Sequence, residues 1–219
     1  KENYIPAKEG NTIYVKKGEI YLHNKSGARK SSGSFFTPDF AVEHLLDKSL
    51  EPALQSHFNK LDALGDVNAA EELFNFRVAD IAMGSGHFLV AAIDRIEIRI
   101  TEYLDKRPLA HVKSELNTLK ISALNQLKEL SEQNIEDIQL LKRLIARRCI
   151  YGVDLNPLSV QLARLSIWIH TFVPGLPLSL LDHSIRQGNS LIGVGSIDEI
   201  KTKIDEAKDT LFAADSEAL

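Results

Sequence analysis

The order of apolar and polar residues along the chain predicts strands that alternate with helices. Three short runs read as strands, the first of them as a buried strand, and each is followed by turn residues. These runs are residues 77–82, 149–154 and 185–187. The first run leads through Gly84 and Gly86 into a helix that begins at His87, and the second leads into a helix capped by Asn156. Strands separated by helices in this order predict a doubly wound α/β fold with a parallel sheet.

Apolar stripes of helical period mark the faces that we expect to point towards the core. A helix is predicted to begin at Thr37 and Pro38, because threonine is a favourable N-cap and proline suits the first helical position. The stripes are Val42, Leu45, Leu46 and Leu50 in this helix; Phe88, Leu89, Ala92, Ile93 and Ile96 after His87; and Leu158, Leu162, Leu165 and Ile169 after Asn156.

The two ends of the chain differ from this central pattern. Near the start, β-branched and aromatic residues flank a glycine-containing turn and predict a hairpin over residues 12–22. Near the end, Ile200, Ile204, Ala207 and Leu211 form the stripe of a last helix. The sequence thus predicts three parts of the chain. They are a hairpin and linker (1–33), a core (34–195) with a helical insertion at about 108–147, and a C-terminal helix (196–219).

Composition narrows the classes of function. A net charge of −4 argues against a free-standing DNA-binding module, which normally carries a basic surplus. Cys149 is the only cysteine, which excludes disulfide scaffolds and cysteine-based zinc sites and fits a cytoplasmic setting. No apolar run approaches the ~18 residues of a membrane span, and no histidines stand at metal-ligand spacing, so we assign neither a membrane nor a metal.

The segment from Asp80 to Phe88 is the first candidate for ligand binding. Glycines after a strand allow a sharp turn and a close ligand approach, and the following helix start offers free N–H groups. A dinucleotide site would have a third glycine, but Leu89 stands at that position. Asp80 would repel a phosphate and suits a ligand with a cationic amino acid portion, such as S-adenosylmethionine. A purely structural glycine turn remains the alternative.

Two further features support a nucleoside ligand. Asp154 ends the second predicted strand, where a carboxylate can accept hydrogen bonds from both ribose hydroxyls of S-adenosylmethionine or of NAD. Its alternative role is to favour the N-terminus of the next helix. Thr37 offers a hydroxyl and a capped helix start for a carboxylate, although a simple cap would explain it equally well.

Taken together, these motifs resemble the γ-class of DNA adenine-N6 methyltransferases, in particular large enzymes of type I and type IIG restriction–modification and related phage-defence systems. Residues 34–38 look like motif X, 79–89 like motif I, 150–157 like motif II, and 181–193 like the segment that holds motif III. The resemblance covers about residues 33–195. It implies a Rossmann-like methyltransferase fold, S-adenosylmethionine as cofactor, DNA as substrate, and a specificity or restriction subunit or domain as partner.

The resemblance also assigns roles to residues. It implies that Thr37 holds the methionine carboxylate, Asp80 and the Gly84–Gly86 turn the amino acid end, Asp154 the ribose, and Leu155 the adenine ring. Asn189, where aspartate is common, would bond the adenine amino group, and Ile81 replaces the usual proline. The full set of predicted cofactor-binding residues is Phe36, Thr37, Pro38, Asp80, Ala82, Gly84, Ser85, Gly86, Phe88, Asp154, Leu155, Asn189 and Ser190.

The family's Asn-Pro-Pro-aromatic motif, which holds the flipped adenine, does not occur in this sequence, since Asn156 and Pro157 are followed by Leu158. We therefore assign no catalytic residue and expect this stretch to be a cofactor-binding fragment that transfers no methyl group to DNA. The open alternatives are a methyltransferase of RNA or protein, a vestigial interaction module and, less favoured, an NAD-dependent oxidoreductase. A cytosine-C5 enzyme is disfavoured because its nucleophilic cysteine follows proline, whereas Cys149 follows Arg148.

Overall fold

The computed structural model describes residues 37–127, 135–177 and 181–192, together with residues 198, 201 and 202. The predicted hairpin and linker, Phe36 and most of the predicted C-terminal helix lie outside the described residues.

The described chain is a helix-rich α/β structure with a small parallel sheet. Its elements in chain order are α1 (Asp39–Leu45), a π-helical segment (Leu46–Leu50), α2 (Glu51–Asp62), α3 (Asp66–Glu72), β1 (Val78–Asp80), α4 (His87–Lys106), α5 (Ala110–Leu127), α6 (Asp137–Arg148), β2 (Ile150–Asp154), α7 (Pro157–His170) and β3 (Ile185–Gln187). Helices α5 and α6 follow α4 between the first two strands, within the range predicted for the helical insertion.

The three strands are parallel and lie in the order β1-β2-β3. Asp80 pairs with Gly152, and Asp154 pairs with Gln187, so the carboxyl ends of all three strands meet at one edge of the sheet. Helix α4 packs against β1 and β2, and α7 packs against β2 and β3. Because ligands of open α/β sheets bind beyond the carboxyl ends of the strands, a ligand site is expected at this edge.

One face of the described sheet is buried and the other is partly open. Paired residues of neighbouring strands point to the same face. Ile150, Gly152 and Ile185 are buried, whereas Ala79 is exposed and its partner Tyr151 is only half-buried. The prediction of a buried strand over residues 77–82 is therefore wrong in length and in burial. Among the described strands β1 has a neighbour on one side only, and it ends after three residues.

The prediction of which face of α7 points towards the core is also wrong. Leu158, Leu162, Leu165 and Ile169 are 44–65% exposed, and the buried face is formed by Ser159, Val160, Ala163 and Ile167. The helix has two apolar faces, and a period alone cannot decide which one meets the sheet. The small side chain of Ala163 decides it, because it allows α7 to lie directly against Gly86. Leu45 of the predicted first stripe is exposed as well, whereas Val42, Leu46 and Leu50 are buried.

Candidate functional site

The glycine turn connects β1 to α4 at the carboxyl edge of the sheet. Gly84 and Gly86 have φ angles of 55° and 83°, which is the left-handed region that favours glycine. A Cβ on Gly86 would lie 3.1 Å from the Cβ of Ala163, so α7 leaves little room for a side chain at this position. A Cβ on Gly84 would have no described atom within 4 Å. Gly84 therefore presents its backbone to open space, as close ligand approach requires.

Asp154 joins the glycine turn to the end of β2. Its Oδ2 accepts a hydrogen bond from the Gly84 N–H at 2.9 Å, and its Oδ1 accepts one from the Asn156 N–H at 2.8 Å. The Met83 N–H donates to the Val153 carbonyl at 3.1 Å and fixes the same turn. A carboxylate offers about four acceptor positions, so Asp154 keeps capacity for further hydrogen bonds. The glycine turn and Asp154, which the sequence predicted as two separate features of the site, are therefore in contact.

Asp80 adds a second carboxylate to this part of the edge. Burial raises the pKa of Asp80, a hydrogen bond from the Ala82 N–H to Oδ1 at 3.0 Å opposes the increase, and the nearby charge of Asp154 adds to it. Burial disfavours the charged form, and like charges disfavour joint ionisation. Two converging carboxylates favour a cationic ligand, which would relieve their repulsion.

The start of α1 also lies beside the glycine turn. The Oδ1 of Asp39 is 3.1 Å from Nε2 of His87, the first residue of α4, and Thr37 precedes Asp39 by two residues. Thr37 is exposed, but it does not act as the predicted N-cap. Pro38 occupies that position with extended backbone angles, and no side chain caps this described helix end. The Thr37 hydroxyl is thus not used as a cap.

An ion-pair cluster holds α1 and α2 against α4. The guanidinium of Arg95 donates to Glu43 at 2.5 Å, to Asp47 at 2.7 Å and to Glu51 at 3.0 Å. These carboxylates come from α1, the π-helical segment and the first turn of α2. The cluster anchors α1 to the helix that begins at the glycine turn.

The end of β3 reaches the same edge. The Gly188 N–H donates to the Asp154 carbonyl at 3.0 Å, and the Gln187 amide donates to the Leu155 carbonyl at 3.3 Å. Asn189 follows directly, exposed, and its Oδ1 accepts the Leu191 N–H at 2.9 Å. The Oδ1 atom has a second lone pair, so it can still accept a hydrogen bond from an adenine amino group, as predicted.

Apart from Thr37, Pro38 and Phe88, the described members of the predicted set lie at the carboxyl ends of the strands or in the turns that follow them. Ala82, Ser85, Leu155 and Ser190 are exposed, and Phe88 is half-buried and packs on the core. The sequence analysis missed the residues that shape the site without facing a ligand. Gly152 is one, because a Cβ there would collide with Met83 and Leu89, and Ala163 is another. The signal for Gly152 was a glycine inside a strand, which often marks a close approach.

Within the described residues, no group of three or more His, Cys, Asp or Glu side chains is placed to hold a metal ion. None of the described helices has both the length and the apolar character needed to cross a membrane.

Comparison with known proteins finds two similar methyltransferases. The chain is 22% identical over 201 residues to a putative type II restriction enzyme and methyltransferase of Methanocaldococcus jannaschii, covering 75% of this chain and 15% of that protein. It is 24% identical over 186 residues to the adenine-specific methyltransferase PglX of Streptomyces coelicolor, covering 82% of this chain and 12% of that protein. The chain thus spans less than a sixth of either relative. No family model and no solved structure matches it.

Proposed function

We propose that this chain forms the S-adenosylmethionine-binding part of a DNA adenine-N6 methyltransferase with a Rossmann-like fold. The observation that carries the proposal is the contact between Asp154 and the Gly84 N–H, which joins an acidic strand end to an open glycine turn. Similarity to a restriction enzyme and methyltransferase and to an adenine-specific methyltransferase supports it.

The residues at this edge fit the chemistry of S-adenosylmethionine. Asp80 and the backbone at Gly84, beside its open space, would hold the amino acid end, whose ammonium and sulfonium charges balance the two carboxylates. Asp154 would accept the ribose hydroxyls through its remaining acceptor positions, and the exposed Leu155 would pack on the adenine. Thr37 would bond the methionine carboxylate. When bound, the cofactor supplies an electrophilic methyl group.

Residues 34–195 are then the cofactor-binding core, with 1–33 and 196–219 as flanking parts. The core has no Asn-Pro-Pro-aromatic motif and no basic surplus. We therefore propose that DNA binding, adenine recognition and any restriction partner depend on further sequence of the kind present in the two relatives, of which the matched stretch makes up only 15% and 12%. A methyltransferase of RNA or protein would share the cofactor site, but neither relative's name favours it.

Isothermal titration calorimetry on the 219-residue chain tests the cofactor. We expect saturable binding of S-adenosylmethionine and none of NAD, whose pyrophosphate at the glycine turn would face the carboxylate of Asp80. Asp154→Asn should weaken binding at least tenfold. The matched control is Asp182→Asn, which removes a carboxylate that pairs with Arg164 at 2.9 Å, before the start of β3. A folded chain that binds no S-adenosylmethionine, or binds NAD instead, would overturn the proposal.

A further inference from the structure

A series of polar contacts joins α4 to the helices that precede the sheet. The donors come from α4, and the acceptors come from residues 39–66. The pairs are His87 with Asp39, Arg95 with Glu43, Asp47 and Glu51, Arg99 with Glu51, Tyr103 with Asp62, and Arg107 with Asp66. The residue numbers rise together on both sides, so the segment from α1 to the start of α3 follows α4 in the same direction.

The first contact of this series lies at the glycine turn. His87 follows Gly86 directly as the first residue of α4, and its Nε2 is 3.1 Å from Oδ1 of Asp39. A carboxylate can only accept, so Nε2–H donates, which one neutral tautomer and the protonated imidazole both allow. Arg95 follows eight residues later, or about 12 Å further along α4. Within the series, the Asp39–His87 contact is therefore the one nearest the proposed cofactor site.

The start of α1 has little other support among the described residues. Residues 37–40 are all exposed, and Val42 is the first buried residue of the helix. No side chain caps this helix end. Packing therefore holds the first turn of α1 only weakly, and the contact with His87 orients it against the glycine turn.

We propose that Asp39 and His87 are positioning residues that place Thr37 beside the glycine turn and so fix the carboxylate end of the bound cofactor. This inference rests on the proposed function, in which Thr37 bonds the methionine carboxylate. Pro38 connects the two positions with φ −61° and ψ 146°. The proline ring fixes φ and restricts the residue before it, so the position of Thr37 follows that of Asp39.

Calorimetric titration of the 219-residue chain with two matched ligands tests the positioning role. One is S-adenosylmethionine, and the other is its decarboxylated analogue, which keeps the ammonium and sulfonium groups and lacks only the carboxylate. Asp39→Ala and His87→Ala should each weaken S-adenosylmethionine about three- to fivefold, as expected for an exposed pair, and leave the analogue unchanged. The double variant should lose no more than either single variant, because both remove the same contact.

A matched control removes another exposed pair of the chain. Lys120 and Asp137 lie 3.3 Å apart between α5 and α6, and neither belongs to the predicted site. Lys120→Ala with Asp137→Ala should change the affinity for neither ligand. Circular dichroism verifies that every variant is folded.

Thr37→Val tests whether the contact acts through the threonine hydroxyl. This variant should itself weaken S-adenosylmethionine, and adding His87→Ala to it should cause no further loss. A further loss would overturn the inference, as would equal losses for both ligands in the single variants, because the contact would then support the whole site.

The inference and the proposed function fail in different ways. Unchanged affinity for S-adenosylmethionine in folded Asp39→Ala and His87→Ala would overturn the positioning role and leave the proposed function intact. A folded wild-type chain that binds no S-adenosylmethionine would overturn the proposed function, and the positioning role with it.

Discussion

Alanine substitution of the two turn glycines separates the role of the backbone from the role of the open space beside it. Both positions have left-handed backbone angles, which cost a residue with a Cβ about 1–2 kcal/mol. At Gly86 the new methyl would also lie 3.1 Å from the Ala163 Cβ and 3.2 Å from its Cα. Overpacking of this kind costs about 1–3 kcal/mol in addition.

We therefore expect Gly86→Ala to destabilise the chain by about 1–3 kcal/mol more than Gly84→Ala does. For a chain of this size the difference corresponds to about 2–12 °C in melting temperature. The methyl of Gly84→Ala would enter the space proposed for the cofactor, so that variant should lose at least tenfold in affinity for S-adenosylmethionine at temperatures where it is fully folded.

Thermal unfolding followed by circular dichroism and calorimetric titration measure the two effects separately. Equal melting temperatures for the two variants would refute the close packing of α7 on Gly86. Unchanged affinity in folded Gly84→Ala would refute the assignment of the open space to the ligand, and leave the packing argument intact.

Further predictions concern the charged groups. The raised pKa of Asp80 means that the folded chain holds this proton more tightly than the unfolded chain, so its contribution to stability falls as pH rises from the ordinary carboxylate range through the raised value. Asp80→Asn should thus raise the melting temperature at pH 7, but not at pH 3, while weakening cofactor binding; a lower melting temperature at pH 7 would contradict this. Arg95→Gln should cost about 1–3 kcal/mol in chemical denaturation and also weaken binding, because three carboxylates lose their partner beside α1. Arg107→Gln is its control: it removes contacts with Asp66 and the Leu61 and Leu64 carbonyls at the other end of α4, and should lower stability without changing affinity.

The sequence predicted best those features that depend on local chemistry. The glycine turn, the start of α4 at His87 and the Asn156 cap, whose side chain accepts the Leu158 N–H at 3.0 Å, are all confirmed. Each depends on backbone angles or hydrogen bonds within a few residues. The third strand is confirmed at residues 185–187.

Features that depend on distant neighbours were predicted less well. The prediction of the buried face of α7 was wrong because the helix has two apolar stripes. Only the contact of Ala163 with Gly86 selects the one that packs on the sheet. The prediction that β1 is buried was wrong because the burial of a strand depends on how many strands surround it. The bond from the Gly84 N–H to Asp154 joins residues seventy positions apart, so spacing could suggest that both face one ligand but not that they contact each other.

The contact between Asp154 and the Gly84 N–H links the glycine turn to the proposed ribose contact. The carboxylate of Asp154 orients the glycine turn, and its remaining acceptor positions stay open. One side chain therefore both positions the turn and provides the proposed ribose contact. Bonds from Met83 to Val153 and from Gly188 to Asp154 fix the same edge through the backbone. Partial burial and the nearby charge of Asp154 raise the pKa of Asp80 beside this arrangement, so they disfavour its charged form. The cationic cofactor that we propose would restore the balance on binding, and perturbed carboxylates of this kind are typical of functional sites.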